Sequence, residues 1–165
     1  MGTRKSYGHR MAGVIADASP LIALQQIGQI SLIEQLFERI LIPSAVVREI
    51  SPSLPNLPAW ITTRDLTQPI EPEILRASLG AGESETLTLA LHVGAHLVIL
   101  DERPARKLAR VLGLSVVGTA GILLAAKRAG LIPRVRPLLD ALIEKGFRVS
   151  SALRDKILAD AAETP

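Results

Sequence analysis

Short apolar runs alternate with stretches of helical periodicity from residue 13 onward. Gly13-Val14-Ile15-Ala16 carries two β-branched residues and predicts a buried strand. The run ends at Asp17. Ser19-Pro20 then predicts a helix start, with Ser19 as N-cap and Pro20 at the first helical position, where its missing N–H costs nothing. That helix continues through Leu21, Ile22, Leu24 and Gln25, and residues 30–36 have helical apolar spacing again. Ile40-Leu41-Ile42 predicts a second strand, stopped by Pro43-Ser44, and residues 45–50 a helix carrying Glu49. Pro52, Pro55 and Pro58 make the next stretch a loop. Trp60-Ile61-Thr62-Thr63 predicts a third strand, and a short helix through Ile74 and Leu75 follows a break at residues 69–72.

The second half repeats the alternation. Leu79-Gly80-Ala81-Gly82-Glu83-Ser84-Glu85 leads two glycines into an acid-rich first helical turn, where the helix dipole favours acids. This helix stops near Gly94. Leu97-Val98-Ile99-Leu100 predicts a buried strand ended by Asp101-Glu102, and residues 103–112 a basic amphipathic helix closed by Gly113. Leu114-Ser115-Val116-Val117 predicts a fifth strand. Gly118-Thr119-Ala120-Gly121 turns into a helix that runs through Lys127. Residues 133–145 and 151–161 predict two C-terminal helices, the first open to interruption at Arg136-Pro137. Strands alternating with helices imply the α/β class: a three-layer α/β/α domain with a mostly parallel five-stranded sheet.

Composition narrows this. At 165 residues the chain reads as one domain over 11–165, including the two C-terminal helices. Residues 1–10 are set apart as an N-terminal extension: a cloning remnant, a misassigned start or a mobile arm. Hydrophobic residues make up 48% but aromatics only 2%, so the core is aliphatic, and so few aromatics argue against a base-stacking platform. The absence of cysteine removes disulfides and thiolate metal sites and fits a reducing cytoplasm. No apolar run has the length of a membrane span, and no signal-peptide core opens the chain. The pI of 9.7 suggests a polyanion partner. The net +3, however, is matched by Arg4, Lys5 and Arg10 in an acid-free first ten residues, which leaves residues 11–165 neutral overall.

Four acids share one placement. Asp17 follows the first strand and Asp101 the fourth; Glu49 lies on the helix after the second strand, and Glu83 starts the helix before the fourth. In a doubly wound sheet the first and fourth strands are neighbours at the switch point, where ligands bind. Clustered carboxylates without cysteine or paired histidines are hard oxygen ligands, suited to Mg²⁺ or Mn²⁺ rather than Zn²⁺. Left unneutralised they repel one another and raise one another's pKa. Each acid also has a structural reading of its own. Asp17 and Asp101-Glu102 are possible caps, Glu49 is a possible solvated side chain, and Glu83 and Glu85 are possible dipole partners.

In order and spacing, these pieces resemble the PIN-domain family of metal-dependent ribonucleases. The matching stretches are Val14 to Ser19, Pro43 to Ile50, Gly82 to Ala90, Leu97 to Glu102 and Gly118 to Gly121. The resemblance implies that Asp17, Glu49, Glu83 and Asp101 are catalytic and bind Mg²⁺ or Mn²⁺. Ser19, Glu102 and Thr119 are expected to support them. Hydrolysis of RNA phosphodiesters would then use activated water and no protein nucleophile. The Gly-Glu-Ser-Glu form is similar to a prokaryotic branch whose members are often toxins of toxin–antitoxin pairs. It implies a small antitoxin partner, a homodimer or higher oligomer, a cytoplasmic location and no membrane. Two departures stand out: Glu83 where many members have Asp, and Glu102 where relatives of this branch often have a second Asp. Glu85 lies about 200° around the helix from Glu83, so both cannot point at one metal.

Arg103, Arg106, Lys107 and Arg110 fall on one helical face just after Asp101. They read either as a solvated stripe or as a rail for RNA phosphates. His9, His92 and His96 lack metal-ligand spacing. Three rival readings remain. A receiver-type signalling domain needs its acid after strand three, where Asp65 lies just beyond, and an acid pair after strand one that Ala18-Ser19 does not supply. A haloacid-dehalogenase phosphatase needs Asp-x-Asp, which Asp17-Ala18-Ser19 is not. A catalytically impaired PIN-like module binding protein or nucleic acid remains open through Glu102.

Overall fold

The structure is a computed structural model, and it describes residues 13–164. The proposed extension over 1–10 lies outside the described residues. In chain order the elements are β1 (Val14–Ala16), α1 (Ala18–Gln26), α2 (Ser31–Phe37), β2 (Ile40–Ile42), α3 (Ser44–Ile50), β3 (Ile61–Thr63) and α4 (Pro72–Arg76). They continue with α5 (Ala81–Val93), β4 (Leu97–Ile99), α6 (Arg103–Val111), β5 (Val116–Val117), α7 (Thr119–Arg128), α8 (Arg136–Glu144) and α9 (Ser151–Asp160). The strands form one five-stranded sheet in the order β3-β2-β1-β4-β5, with every pairing parallel. The chain winds outward from β1 to β3, then returns to lay β4 on the other side of β1. That reversal is the switch point.

Side-chain alternation along the strands divides the core in two. Val14, Ala16, Leu97 and Ile99 point to one face of the sheet, together with Ile40 and Ile42. There they meet Leu21 and Leu24 of α1, Ile33 of α2, Ile122 and Leu123 of α7, and the C-terminal helices through Leu139 and Leu158. Ile15, Val98 and Leu100 point to the other face and pack on Ile74 of α4, Leu87 of α5 and Ala105 and Ala109 of α6. Both faces are covered, which is why the strands read as continuous apolar runs and not as polar–apolar alternation. Full burial of one such aliphatic side chain contributes about 1.5–3 kcal/mol.

Three expectations shift. The first helix begins at Ala18, so Asp17 is the N-cap and Ser19 and Pro20 are already inside the first turn. Proline is tolerated there because the early N–H groups of a helix have no intrahelical acceptor. The fifth strand is only Val116–Val117, since Ser115 contributes just its carbonyl, to Val98. Finally, α8 starts at Arg136 with Pro137 in its first turn, so the proline opens the helix where an interruption was expected. Among the described residues no helix is long and apolar enough to cross a membrane.

Candidate active site

Ala16 pairs with Ile99, so β1 and β4 end side by side, and the Asp17 amide donates to the Ile99 carbonyl at 2.9 Å. The Asp17 side chain is buried beside these strand ends, 1% exposed. It occupies the N-cap of α1 but makes no capping hydrogen bond. Both of its carboxylate oxygens are buried without a hydrogen-bond partner. A capping aspartate bonds an amide of the first turn; this one does not, so capping does not explain it. Burial pushes its pKa up to about 7; the nearby Ala18 amide acts against this, and the charges of Glu83, Glu49 and Asp101 add to it.

The other three acids reach the same edge from different elements. Asp101 follows β4 and is held from across the sheet end. Its carboxylate accepts from the Thr119 amide at 2.8 Å and from the Thr119 hydroxyl at 2.6 Å, at the start of α7. Glu49, exposed on α3, lays its carboxylate over Gly82: a Cβ at that glycine would stand 2.5 Å from Oε1. Partial burial and the charge of Glu83 raise the Glu49 pKa, the Gly82 amide and Arg48 oppose the rise, and Glu85 adds to it. Glu83 folds back over Gly80, where a Cβ would lie 2.5 Å from its Oε2. Glu83 and Glu102 also line a cleft of about 250 Å³ with residues 77–80 and Pro104.

Glycine is what lets the acids crowd together. Gly82 sits inside α5, where it costs about 0.5–1 kcal/mol relative to alanine. The sequence pattern treats it only as a helix lead-in. A glycine kept within a helix is itself a signal of close approach, and that signal was available. Glu85 serves the fold. Its Oε1 accepts from the Ala45 amide at 3.1 Å and its Oε2 lies 3.8 Å from Arg48, which ties α5 to the start of α3. It is no spare ligand.

The supporting residues divide. Thr119 contacts Asp101 as described. Glu102 is the exposed N-cap of α6, without a capping bond, and lines the same cleft as Glu83. Ser19 is exposed on a separate groove lined by Leu142, Lys145, Gly146 and Phe147, and no hydrogen bond links it to the acids. The basic stripe is also divided. Arg103, Lys107 and Arg110 are exposed, whereas Arg106 turns inward and donates from Nη1 to the Leu100 carbonyl at 2.9 Å. Burial, then Arg110, lower the Arg106 pKa, and Asp101 opposes this. Arg106 makes no ion pair with Glu102 among the described residues; one of its N–H groups goes to the strand end instead.

The donor set fits a hard divalent cation: four carboxylates, no cysteine, and a buried Asp17 with both oxygens unmatched. Among the described residues no group of three or more such side chains already stands positioned to hold an ion. Glu49 and Glu83 instead splay over Gly82 and Gly80, as mutually repelling carboxylates do.

Fold and site define a parallel α/β domain with an acid cluster at its switch point. A family model described as PIN domain matches residues 13–163. The chain belongs to the PIN-domain family, which has a nuclease-like fold and generally uses divalent metals. Among solved structures, it is similar to a PilT N-terminus domain protein from the hyperthermophilic archaeon Sulfolobus solfataricus P2. The two are 14% identical, 83% of this chain and 98% of that chain are covered, and the TM-score is 0.46. No protein of curated function matches the chain.

Proposed function

We propose that this protein is a Mg²⁺- or Mn²⁺-dependent endoribonuclease. Asp17, Glu49, Glu83 and Asp101 hold the cation, and RNA is the substrate. The observation that carries the reading is Asp17, a buried carboxylate that makes no full hydrogen bond among the described residues, is eased only by the neighbouring Ala18 amide, and has three further acids acting on it. Nothing in a purely structural role requires that arrangement. A bound divalent cation supplies Lewis acidity at a phosphate and lowers the pKa of water.

The chain's own residues do the rest. Burial holds the Asp17 pKa up at about 7, and a bound cation would favour its ionised form. Thr119 fixes the orientation of Asp101 through both carboxylate oxygens. Glu49 and Glu83 close on the crevice from α3 and α5. Arg103, Lys107 and Arg110 extend an exposed basic face from the same edge and hold RNA phosphates as positioning contacts. The Gly82-Glu83-Ser84-Glu85 form supports a toxin of a toxin–antitoxin pair, acting in the cytoplasm as a dimer or higher oligomer and restrained by a small antitoxin.

The test is cleavage of a mixed-sequence single-stranded RNA in Mg²⁺ or Mn²⁺. The wild-type protein is expected to cut it and to stop when the metal is chelated. Asp17→Asn is expected to fall to background. Equal cleavage by Asp17→Asn overturns the assignment.

A further inference from the structure

We propose that Arg106 is a phosphate-binding residue of the acid site, its guanidinium receiving a non-bridging phosphoryl oxygen of an RNA phosphodiester beside Asp101. The inference rests on the nuclease reading and adds a residue and a contact to it. Helical spacing groups Arg106 with Arg103, Lys107 and Arg110, yet it alone of the four is withdrawn from solvent. Gly118 shows where it goes. A Cβ on Gly118 would stand 2.6 Å from Arg106 Nη1 and 2.8 Å from Asp101 Oδ1, so guanidinium and carboxylate converge on one point above that glycine.

Convergence of opposite charges ordinarily ends in an ion pair. Here none joins Arg106 to Asp101 among the described residues; Asp101 is held instead by Thr119, with one bond to each oxygen. Arg106 spends one N–H on the Leu100 carbonyl, and its remaining donors have no acceptor among the described residues. A guanidinium pinned by one backbone bond is already ordered, so it binds an oxyanion with little further loss of side-chain freedom. Its planar fork matches two oxygens of a phosphate, which an ammonium cannot do. The exposed members of the stripe can track a backbone, but only Arg106 lies against the acids where the scissile phosphate must sit.

NMR titration of the full chain in Mg²⁺ tests this, read on the arginine Nε–H resonances. One arm uses inorganic phosphate and the other uridylyl-uridine, which carries a diester and no terminal phosphate. The Arg106 resonance is expected to shift and saturate in both arms. Arg106→Lys is expected to weaken both at least tenfold while Mn²⁺ affinity stays within twofold. Shifts confined to Arg103 and Arg110 overturn the proposal, as does a response to inorganic phosphate alone. An Arg106→Lys protein that loses thermal stability but keeps its phosphate affinity reduces Arg106 to a tether of the β4 end. If Asp17→Asn still cleaves RNA while Arg106 responds to both ligands, the acid mechanism falls and the phosphate site stands.

Discussion

Asp17 and Glu163 are both carboxylates withdrawn from solvent, and their surroundings are opposite. Glu163, near the end of the chain, has its side chain 9% exposed. It accepts from the Val135 amide at 2.7 Å, the Arg136 amide at 3.0 Å and the Lys127 ammonium at 3.0 Å. Burial acts upward on its pKa, but those donors bring it down to about 2. The contacts cap α8 and fasten the chain's last residues to α7. Asp17, at 1% exposure, makes no full hydrogen bond, has only the neighbouring Ala18 amide acting in its favour, and is pushed up to about 7. Where a buried carboxylate serves the fold, this chain surrounds it with hydrogen bonds. The one it leaves bare stands among three other acids at the switch point. Buried polar groups in folded proteins are almost always satisfied, so a buried charged group without a full hydrogen bond, standing among three like charges, calls for an explanation that the fold does not supply.

The comparison predicts pH dependences of opposite sign. An aspartate with its folded pKa raised carries no penalty below about pH 4, where both states are protonated. The penalty grows as pH rises and is complete above about pH 7. A shift from 3.8 to about 7 corresponds to a stability loss of up to about 4 kcal/mol in metal-free protein. Asp17→Asn should therefore stabilise the metal-free protein at pH 8 and change it little at pH 4, as read by urea denaturation. A variant less stable than wild type at pH 8 breaks the comparison at its stronger end.

Glu163 runs the other way. Its folded pKa is depressed, so its contribution is present above about pH 5 and is lost as pH falls toward 2. Glu163→Gln should cost about 1.5 kcal/mol at pH 7, for loss of charge-assisted bonds, and nothing at pH 2. A pH-independent cost would mean that shape and not charge holds the clasp.

Gly82→Ala has the smallest effect on stability and separates fold from site. The substitution gains about 0.5–1 kcal/mol of helix propensity. The new Cβ, however, displaces the flexible end of Glu49, now 2.5 Å from that position. Thermal unfolding should hold or rise while Mn²⁺ affinity falls several-fold. Unchanged affinity would remove Glu49 from the site.

Much of this architecture was legible in the sequence because it rests on local signals. The strands are short β-branched runs, and each acid sits at a strand or helix boundary that the alternation of elements sends to one edge. The structure sets Asp17 within reach of the charges of Glu49, Glu83 and Asp101, though among the described residues no three of them stand positioned to hold an ion. The start of α1 was misplaced because Asp17-Ala18-Ser19-Pro20 offers two good cap residues, and proline is tolerated at more than one position of the first turn. Arg106 was grouped with its stripe because helical spacing cannot show that Gly118, twelve residues further on, leaves room for a guanidinium. The Glu163 clasp was invisible for the same reason: its partners, from Lys127 to Arg136, meet it only in the folded chain.

The central claim is that Asp17 is left bare in order to receive a divalent cation. It is tested most directly by calorimetric titration of Mn²⁺ at pH 6 in buffers of different ionisation enthalpy. A carboxyl group with a pKa of about 7 is mostly protonated at that pH, so wild-type protein should release close to one proton per bound ion, fading by pH 8. Asp17→Asn should release none and bind far more weakly. Equal Mn²⁺ affinity in the two proteins, or binding by wild type without proton release at pH 6, would contradict the account.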